Sequence, residues 1–437
     1  MLNVNVKKSV LDPEFHSETS HTEFRLNDIN VTYFAGMRLG NVCAFHSVND
    51  QQKQYNVACG AKALIKNITL YDGSQVLAQL NNAGEYLAFK GINRNNADQR
   101  DKRFVNMDKV AMRTSGYTGN DGVVKIDAAQ TQLIGGAGET AALSSQAYID
   151  LSEILHELRS LRYLPTSVFK NLRLYIQWNT DVKAVLSEIG DSVTSLKIGT
   201  PILVVESVSD SKTQSQLLGS IRNISMVGIE NERVTIPEVT AGKSVTTDLV
   251  LKGFDNKTIR RILLCNTPTG SEGGVVATDN DGNITDTILC NGKLNSLAQH
   301  NMSIQLTVNG ANIFNGAGLT GHNHRAGVLA DTFGDIILTP YGNSVGVYGE
   351  TATNKPYGAI EEFGFGRDYT GFSVNNAIRT LQLSYTRTGL TADGAGAGKV
   401  PVPVRPEALN QALNLNIYAE AIKFFRIGNG GYNIAYV

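Results

Sequence analysis

Apolar and polar residues alternate with a period of two along most of this chain, in short runs broken by turn residues. Residues 63–80 (ALIKNITLYDGSQVLAQL) hold two such runs around Asp72-Gly73, and residues 302–314 (MSIQLTVNGANIF) repeat the arrangement around Asn309-Gly310. Asp-Gly and Asn-Gly predict two-residue hairpin loops of type I′, whose two central residues both take positive φ. A third hairpin is predicted over 273–290, where Asp281-Gly282 separates Val275-Val276 from residues 284–289. The pattern is that of a protein built mostly from strands.

Helical spacing is scarce. Leu151, Ile154, Leu155, Leu158 and Leu161 form one apolar stripe, with Asp150 or Ser152 placed to cap its start and His156 on the solvated side. Residues 373–381 are expected to form a second, shorter helix. Long irregular stretches at 93–103, 114–122, 135–138 and 388–406 read as exposed crowns or partner-binding arms on a β scaffold.

The chain also echoes itself. LRLYIQWNTDVKAVL (172–186) and LNLNIYAEAIKFFRI (413–427) share L-x-L-x-I followed by an aromatic. Alternation puts Leu172, Leu174, Ile176 and Trp178 on one face, and likewise Leu413, Leu415, Ile417 and Ala419. The hairpins match after their turns as well, Gly73-Ser-Gln-Val76 against Gly310-Ala-Asn-Ile313. Each hairpin precedes its long strand by about the same distance, which predicts two similar β domains in tandem, meeting in the polar stretch 207–220.

Composition narrows the function. The chain has 437 residues, room for two or three domains, with 43 Gly, 10 Pro and 18% charged residues. An average soluble protein carries roughly 25% charged residues. A surface this poor in charge suits extensive covering by neighbours. With 39 basic and 40 acidic side chains there is no basic excess to displace counterions from phosphates, so direct nucleic-acid binding is not expected. The first residues lack the apolar core of a secretory signal, and no run reaches the ~18 apolar residues of a membrane helix. Cys43, Cys59, Cys265 and Cys290 form no C-x-x-C pair and are expected to be buried free thiols. N-x-[ST] triplets begin at Asn30, Asn67, Asn223, Asn256, Asn283 and Asn301 and read as chance occurrences in a chain rich in those residues.

Candidate chemistry fails on spacing. GNSVG (342–346) fits a hydrolase nucleophile elbow, but no helix pattern follows and no histidine lies beyond His324. GAGAGKV (394–400) lacks the first Gly and the final Ser or Thr of a phosphate-binding loop. DNDGN (279–283) has its Gly misplaced for a calcium loop, with Cys290 where the bidentate Glu belongs. His322 and His324 offer two imidazoles, with Asp331 or Asp335 nearby, but no third metal ligand at recognisable spacing. Glu361 and Glu362 point to opposite faces of an extended chain and make no catalytic pair. No catalytic, cofactor-binding or metal residue is therefore predicted, and no cofactor.

Three segments carry a family likeness: YNVACGAKALIKNITLYDGSQVLAQLNNAGEY (55–86), AYIDLSEILHELRSLRYLPTSVFKNLRLYIQWNTD (147–181) and LNLNIYAEAIKFFRIGNGGYNIAYV (413–437). They resemble strands of the double jelly-roll major capsid proteins of the adenovirus, virophage and polinton-like viruses. The resemblance implies an all-β fold of two tandem eight-stranded jelly rolls, with a short helix between late strands of the first. It implies an N-terminal arm over 1–20, a first jelly roll over 21–208 and a second over 209–437. The implied function is a non-enzymatic one, a homotrimeric pseudo-hexagonal capsomer (hexon) tiling an icosahedral double-stranded DNA virus shell. Its partners would be neighbouring capsomers and the penton, vertex and minor capsid proteins, and its location the virion. Two other readings compete with it: a two-domain jelly-roll amidase or hydrolase acting on glycans, and a minor vertex or lectin-like jelly-roll protein.

Overall fold

The computed structural model describes residues 6–26, 28–46, 53–54, 60–84, 86–87, 133–134, 147–185, 195–268, 275–278, 284–287, 302–314, 316, 318–320, 328, 369–389, 412–428 and 431–436. In the first half the main strands are β1 (Lys7–Leu11), β2 (His21–Leu26), β3 (Thr32–Phe34), β4 (Arg38–Val42), β5 (Ile65–Asp72), β6 (Gln75–Leu80), β7 (Ala147–Asp150), β8 (Tyr163–Pro165), β9 (Leu172–Trp178) and β10 (Ile202–Val208). Helix α1 (His156–Leu161) lies between β7 and β8, and α2 (Ser211–Ser220) follows β10. The second half holds β11 (Asn223–Ile236), β12 (Ser244–Val250), β13 (Lys257–Pro268), β14 (Met302–Val308), β15 (Ala311–Asn312), β16 (Tyr369–Ile378), β17 (Leu381–Thr388), β18 (Leu413–Gly428) and β19 (Gly431–Tyr436).

The two halves wind the same way. In the first, β1 pairs with β10, β10 with the interrupted strand β3/β4, and that strand with β8 and β7. In the second, β11 pairs with β18, β18 with β13, and β13 with β16. The facing sheets run β2-β9-β5-β6 and β12-β17-β14-β15. Every pairing in these sheets is antiparallel, so each half is a sandwich of two antiparallel sheets whose strands leave and re-enter in the same chain order. This is the jelly-roll plan stated twice, and the fold is all-β with few helices.

Each sandwich closes over its own apolar side chains. Leu172, Leu174, Ile176 and Trp178 are buried on one face of β9 while the intervening residues are half-buried, the strict alternation expected of that strand. They meet Phe24, Leu70, Leu203 and Val205 in the first core. The second core gathers Ile262, Leu264, Ile304, Leu306, Leu383, Tyr385 and Ile417. Burying each such side chain contributes roughly 1.5–3 kcal/mol.

The topology corrects the sequence echo. β9 lies between β2 and β5, with Leu174 opposite Phe24 and Leu70. The strand in that position of the second half is β17, with Leu383 opposite Leu249 and Leu306. β18, which carries the echoed L-x-L-x-I, instead corresponds to β10. The hairpins β5/β6 and β14/β15 do correspond, so the matched spacing between hairpin and long strand was fortuitous.

Three further expectations change. Residues 373–381 are not helical: β16 and β17 meet there in a turn at Arg379 and Thr380, whose amides both donate to Asn309 Oδ1 at 2.7 and 3.2 Å. Val374, Ile378 and Leu381 are buried, and a spacing of three or four residues across a strand–turn–strand imitates a helical stripe. The Asn309-Gly310 loop has positive φ at both residues, as type I′ requires. The first hairpin instead pairs Asp72 with Gln75, so its loop is Gly73-Ser74 with positive φ at Gly73 alone, the arrangement of a type II′ turn. Finally, residues 7–11 and 15–16 do not stand off as an arm, because both segments are strands within the first half's sheets.

The helical stripe at 151–161 is present but broken. A 3-10 turn at Leu151–Glu153, capped by Asp150 accepting from the Ser152 amide at 2.9 Å, gives way to α1 through an extended Leu155. All five stripe residues are buried. The break rephases the helix and turns Glu157 fully inward. The third hairpin is seen in its strands, Val275–Thr278 paired with Ile284–Thr287, and its turn lies outside the described residues.

Leu174 and Leu383 occupy equivalent central positions, both fully buried. Leu174→Ala and Leu383→Ala are each expected to lower unfolding free energy by about 2–5 kcal/mol, the usual cost of such a cavity, measured by chemical denaturation.

Candidate functional site

Two places concentrate polar chemistry among the described residues: the seam between the halves, and the outer face of the first half's sheet β1-β10-β4-β7. At the seam, α1 and β6 pack on β11. Met226, Ile229, Leu263, Tyr418 and Phe425 of the second half belong to the first half's core. Phe169 packs edge-on against Tyr432 at 4.8 Å between ring centroids and at 5.6 Å from Phe425. Tyr418 donates its hydroxyl to the Asn82 carbonyl at 2.9 Å, Asn82 donates to Asn231 at 3.0 Å, and Tyr432 donates to Asp72 at 3.1 Å.

An ion cluster sits in the middle of this contact. Lys423 Nζ lies 3.1 Å from Glu157 Oε1 and 3.2 Å from Glu230 Oε1. Lys257 Nζ reaches Glu230 Oε2 at 3.0 Å, and Tyr436 donates to Glu230 Oε1 at 2.7 Å. Glu157 is completely buried, and among the described residues its Oε2 accepts no hydrogen bond. Burial pushes the Glu157 carboxyl up further than Lys423 pulls it down. Burial alone would also raise Glu230, but Lys423, Tyr436 and Lys257 hold it below the usual carboxylate value. Lys423 stays protonated, because the two carboxylates outweigh its own burial. Gly228 makes room for the pair: a Cβ there would fall 2.5 Å from Glu157 Oε1 and 2.6 Å from Lys423 Nζ.

The second place is a shallow groove of about 480 Å³ across the outer face of the first half's sheet. Lys8, Arg38, Arg159, Arg162, Tyr148 and Tyr163 line it among others. Its two acids are engaged: Glu206 takes Lys8 at 3.2 Å, and Asp150 caps the Ser152 amide. Arg159 Nε is held by the Ser152 carbonyl at 2.8 Å. The Arg38 guanidinium lies over Tyr148 at 5.6 Å from the ring centroid, and one edge of that ring passes close to Gly40, where a Cβ would stand 3.2 Å from it. Arg162 takes φ of +58° at the end of α1, a conformation that favours glycine.

The opposite outer surface, over β12 and β17, is polar and nearly uncharged. Ser244 pairs with Thr388 at 2.7 Å, Thr246 with Thr386 at 2.8 Å, and Ser384 donates to Asp248 at 2.6 Å.

The rejected motifs at 279–283, 322–324, 342–346, 361–362 and 394–400, with Asp331 and Asp335, lie outside the described residues. So do the loops at 93–103, 114–122 and 135–138, and 388–406 beyond Gly389. Among the described residues no group of three or more His, Cys, Asp or Glu is arranged to hold a metal ion. His156 is paired with the Tyr86 hydroxyl at 3.2 Å. Cys43 is a buried free thiol, pushed up to about 11 by burial. Cys59 and Cys290 are outside the described residues. Sequence reasoning missed the seam cluster. The signal available was a single Lys inside the largely apolar run AEAIKFF (419–425) and Glu157, one of two Glu within the apolar stripe at 151–161.

No family model and no curated protein matches the sequence. Solved structures do match over almost the whole chain. The VP54 protein of PBCV-1, fitted into a reconstruction of the virophage Sputnik, aligns with a TM-score of 0.60 at 13% identity, covering 100% of this chain and 98% of that one. A chain of the Sputnik virophage structure aligns at 0.57 and 10%, covering 99% and 88%. The mavirus major capsid protein aligns at 0.51 and 11%, covering 98% and 90%. The chain has the double jelly-roll fold of these capsid proteins.

Lys423→Met leaves Glu157 buried without its cation and is expected to cost about 3–5 kcal/mol in denaturation, with Glu157→Leu in the same chain restoring most of the loss. Glu230, held below its usual 4.5, contributes stability that is complete above that value and lost as pH falls through its lowered one. Glu230→Gln should therefore lower stability at pH 7 and flatten its decline on the acid side, read from denaturation midpoints across pH.

Proposed function

We propose that this chain is a viral major capsid protein whose homotrimers form pseudo-hexagonal capsomers of an icosahedral double-stranded DNA virus shell. The observation that carries the reading is the repeated strand order: two sandwiches wound identically in one chain, matched end to end by capsid proteins of the same plan. The physical logic is geometric. Three copies of a chain with two similar halves present six similar blocks around a three-fold axis, a shape that packs hexagonally while its edges remain chemically distinct.

The halves are assigned as a first jelly roll ending at residue 208 and a second over 209–437, with β1 belonging to the first. Composition supports the role, since interface cores are depleted in Lys, Glu and Asp and this chain is only 18% charged. Partners are other copies of the chain, neighbouring capsomers and vertex and minor capsid proteins. The balance of 39 basic to 40 acidic residues assigns genome contact to another component. The site of action is the virion, and the role is structural rather than enzymatic.

Light scattering behind gel filtration on recombinant chain tests the reading. Three times the chain mass is expected without any added cofactor; a stable monomer at micromolar concentration overturns it.

A further inference from the structure

Strand register brings one set of connections from both halves to the same end of the molecule. In the first half Leu26, Leu172 and Asp72 stand level with one another, as do Thr32, Pro165 and Val208 in the facing sheet. The connections at 28–31, Gly73-Ser74 and 166–171 therefore share that end. The amides of Thr166 and Gly73 tie them together, donating to the Val31 and Asn171 carbonyls at 2.9 and 3.2 Å. In the second half the connections at 251–256, Asn309-Gly310 and Arg379-Thr380 meet likewise, with the Asn256 amide donating to the Ile378 carbonyl at 2.8 Å. Helix α2 joins the same group: Gln214 donates to the Asn30 carbonyl at 2.7 Å, and the Arg222 carbonyl beyond the helix accepts from the Ile427 amide at 3.0 Å. Tyr432 on Asp72 holds the turns of the two halves side by side.

Charge is sorted onto this end. Lys170, Lys212, Arg222, Lys252, Arg379 and Arg426 are all exposed there, and none of them forms an ion pair among the described residues. The exposed carboxylates at the same end are Asp28 and Asp210, and Asp210 is occupied in capping α2, accepting from the Thr213 amide at 2.8 Å. The half-buried carboxylates are turned inward. Asp72 accepts from Tyr432 at 3.1 Å, Glu232 accepts from the Gly253 amide at 3.3 Å, and Asp255 buries its Oδ1. An apolar tip accompanies the cations: Ile29, on the connection at 28–31, is 84% exposed. The chain as a whole carries a net charge of −1, so this end is positive against the balance of the molecule.

We propose that this end is a docking surface for an anionic lipid bilayer, with the six cations set on phosphate-bearing headgroups and Ile29 entering the interface between them. A bilayer fits better than an acidic peptide, because the cations come from separate connections of both sandwiches and are spread over an end rather than gathered in a cleft. It fits better than nucleic acid, because an exposed isoleucine gains from acyl chains and gains nothing from a phosphate backbone. Each Lys or Arg close to an anionic membrane strengthens binding about fivefold, so cations that are weak singly act together. The turns that carry them are already fixed by hydrogen bonds, and docking orders no loop. The surface is complete in one chain and does not rest on the capsomer reading.

Vesicle flotation of the full chain tests the surface, with the oligomer read by light scattering on the same material. Vesicles of phosphatidylcholine alone are compared with vesicles carrying about one third phosphatidylserine. The chain is expected to float with the anionic vesicles and not with the neutral ones, and to be released as added salt screens the contact. Lys252→Glu with Arg379→Glu should weaken binding at least tenfold, and so should Lys212→Glu with Arg426→Glu, each with an unchanged circular dichroism spectrum. Lys243→Glu, in the turn at the opposite end of β12, should bind as the wild type does. Equal flotation with neutral vesicles overturns the surface, as does a folded charge-reversed pair that binds undiminished. A trimer that ignores anionic vesicles overturns it and leaves the capsomer reading standing, while a monomer that binds them does the reverse. Retention on duplex DNA with no binding to vesicles gives this end to nucleic acid and overturns the bilayer.

Discussion

The whole chain is organised around a sheet that is buried on both faces. All seven residues from Leu415 to Ala421 in β18 are buried. A strand sends alternate side chains to opposite sides. One side of β18, with Leu415, Ile417, Ala419 and Ala421, completes the second core, while Tyr418 on the other side enters the first; further along the strand, Phe425 also joins the first core. Neither sandwich has a finished core without this shared layer. The halves are therefore continuous in packing as well as in chain.

That constraint explains the placement of the ions. Where both faces of a strand meet protein, a charged side chain has no route to water, and it persists only if its charge and hydrogen bonds are met locally. Lys423 is met by Glu157 from α1 and Glu230 from β11, and Glu230 is met in turn by Lys257 and Tyr436. Gly228 supplies the space. The cluster fixes which part of α1 faces which part of β18. Apolar side chains alone, being non-directional, would define that position less sharply. Tyr436 links the last described strand to the same point.

The fold class was legible because it depends on local signals. Period-two alternation marked β9, and turn chemistry marked both hairpins, since Gly and Asn are among the few residues that adopt positive φ cheaply. What was not legible depended on partners distant in sequence. The equivalence of β9 with β17 rather than β18 is a matter of which strands flank which, and L-x-L occurs in both β17 and β18 because both bury leucines. The turn at Arg379 and Thr380 is stabilised by Asn309, some seventy residues away, so residues 373–381 showed only the spacing that helix and turn share. Glu157 could be placed only once an extended Leu155 had rephased α1. The groove combines Lys8 with residues beyond 200, a grouping no linear motif expresses.

The shortage of charge and the duplicated fold have one physical origin in this reading. A monomeric sandwich can leave the outer faces of its sheets to charged residues and water, and gains solubility by doing so. Here one such face is already given up to the seam, where its contents are Met226, Ile229, Leu263, Tyr418 and Phe425. The pairs over β12 and β17 are met by hydroxyls across the strands with a single carboxylate, Asp248, among them. Repeating a sandwich within one chain brings with it the requirement that a sheet face be covered, and the first half meets that requirement for the second. No described part of the chain meets it for the first half. Its β1-β10 face consequently keeps an exposed Val10, Arg38 over Tyr148, and Lys8 with Glu206 at the rim. An apolar centre bordered by paired charge sets this face apart from the hydroxyl-rich face over β12 and β17.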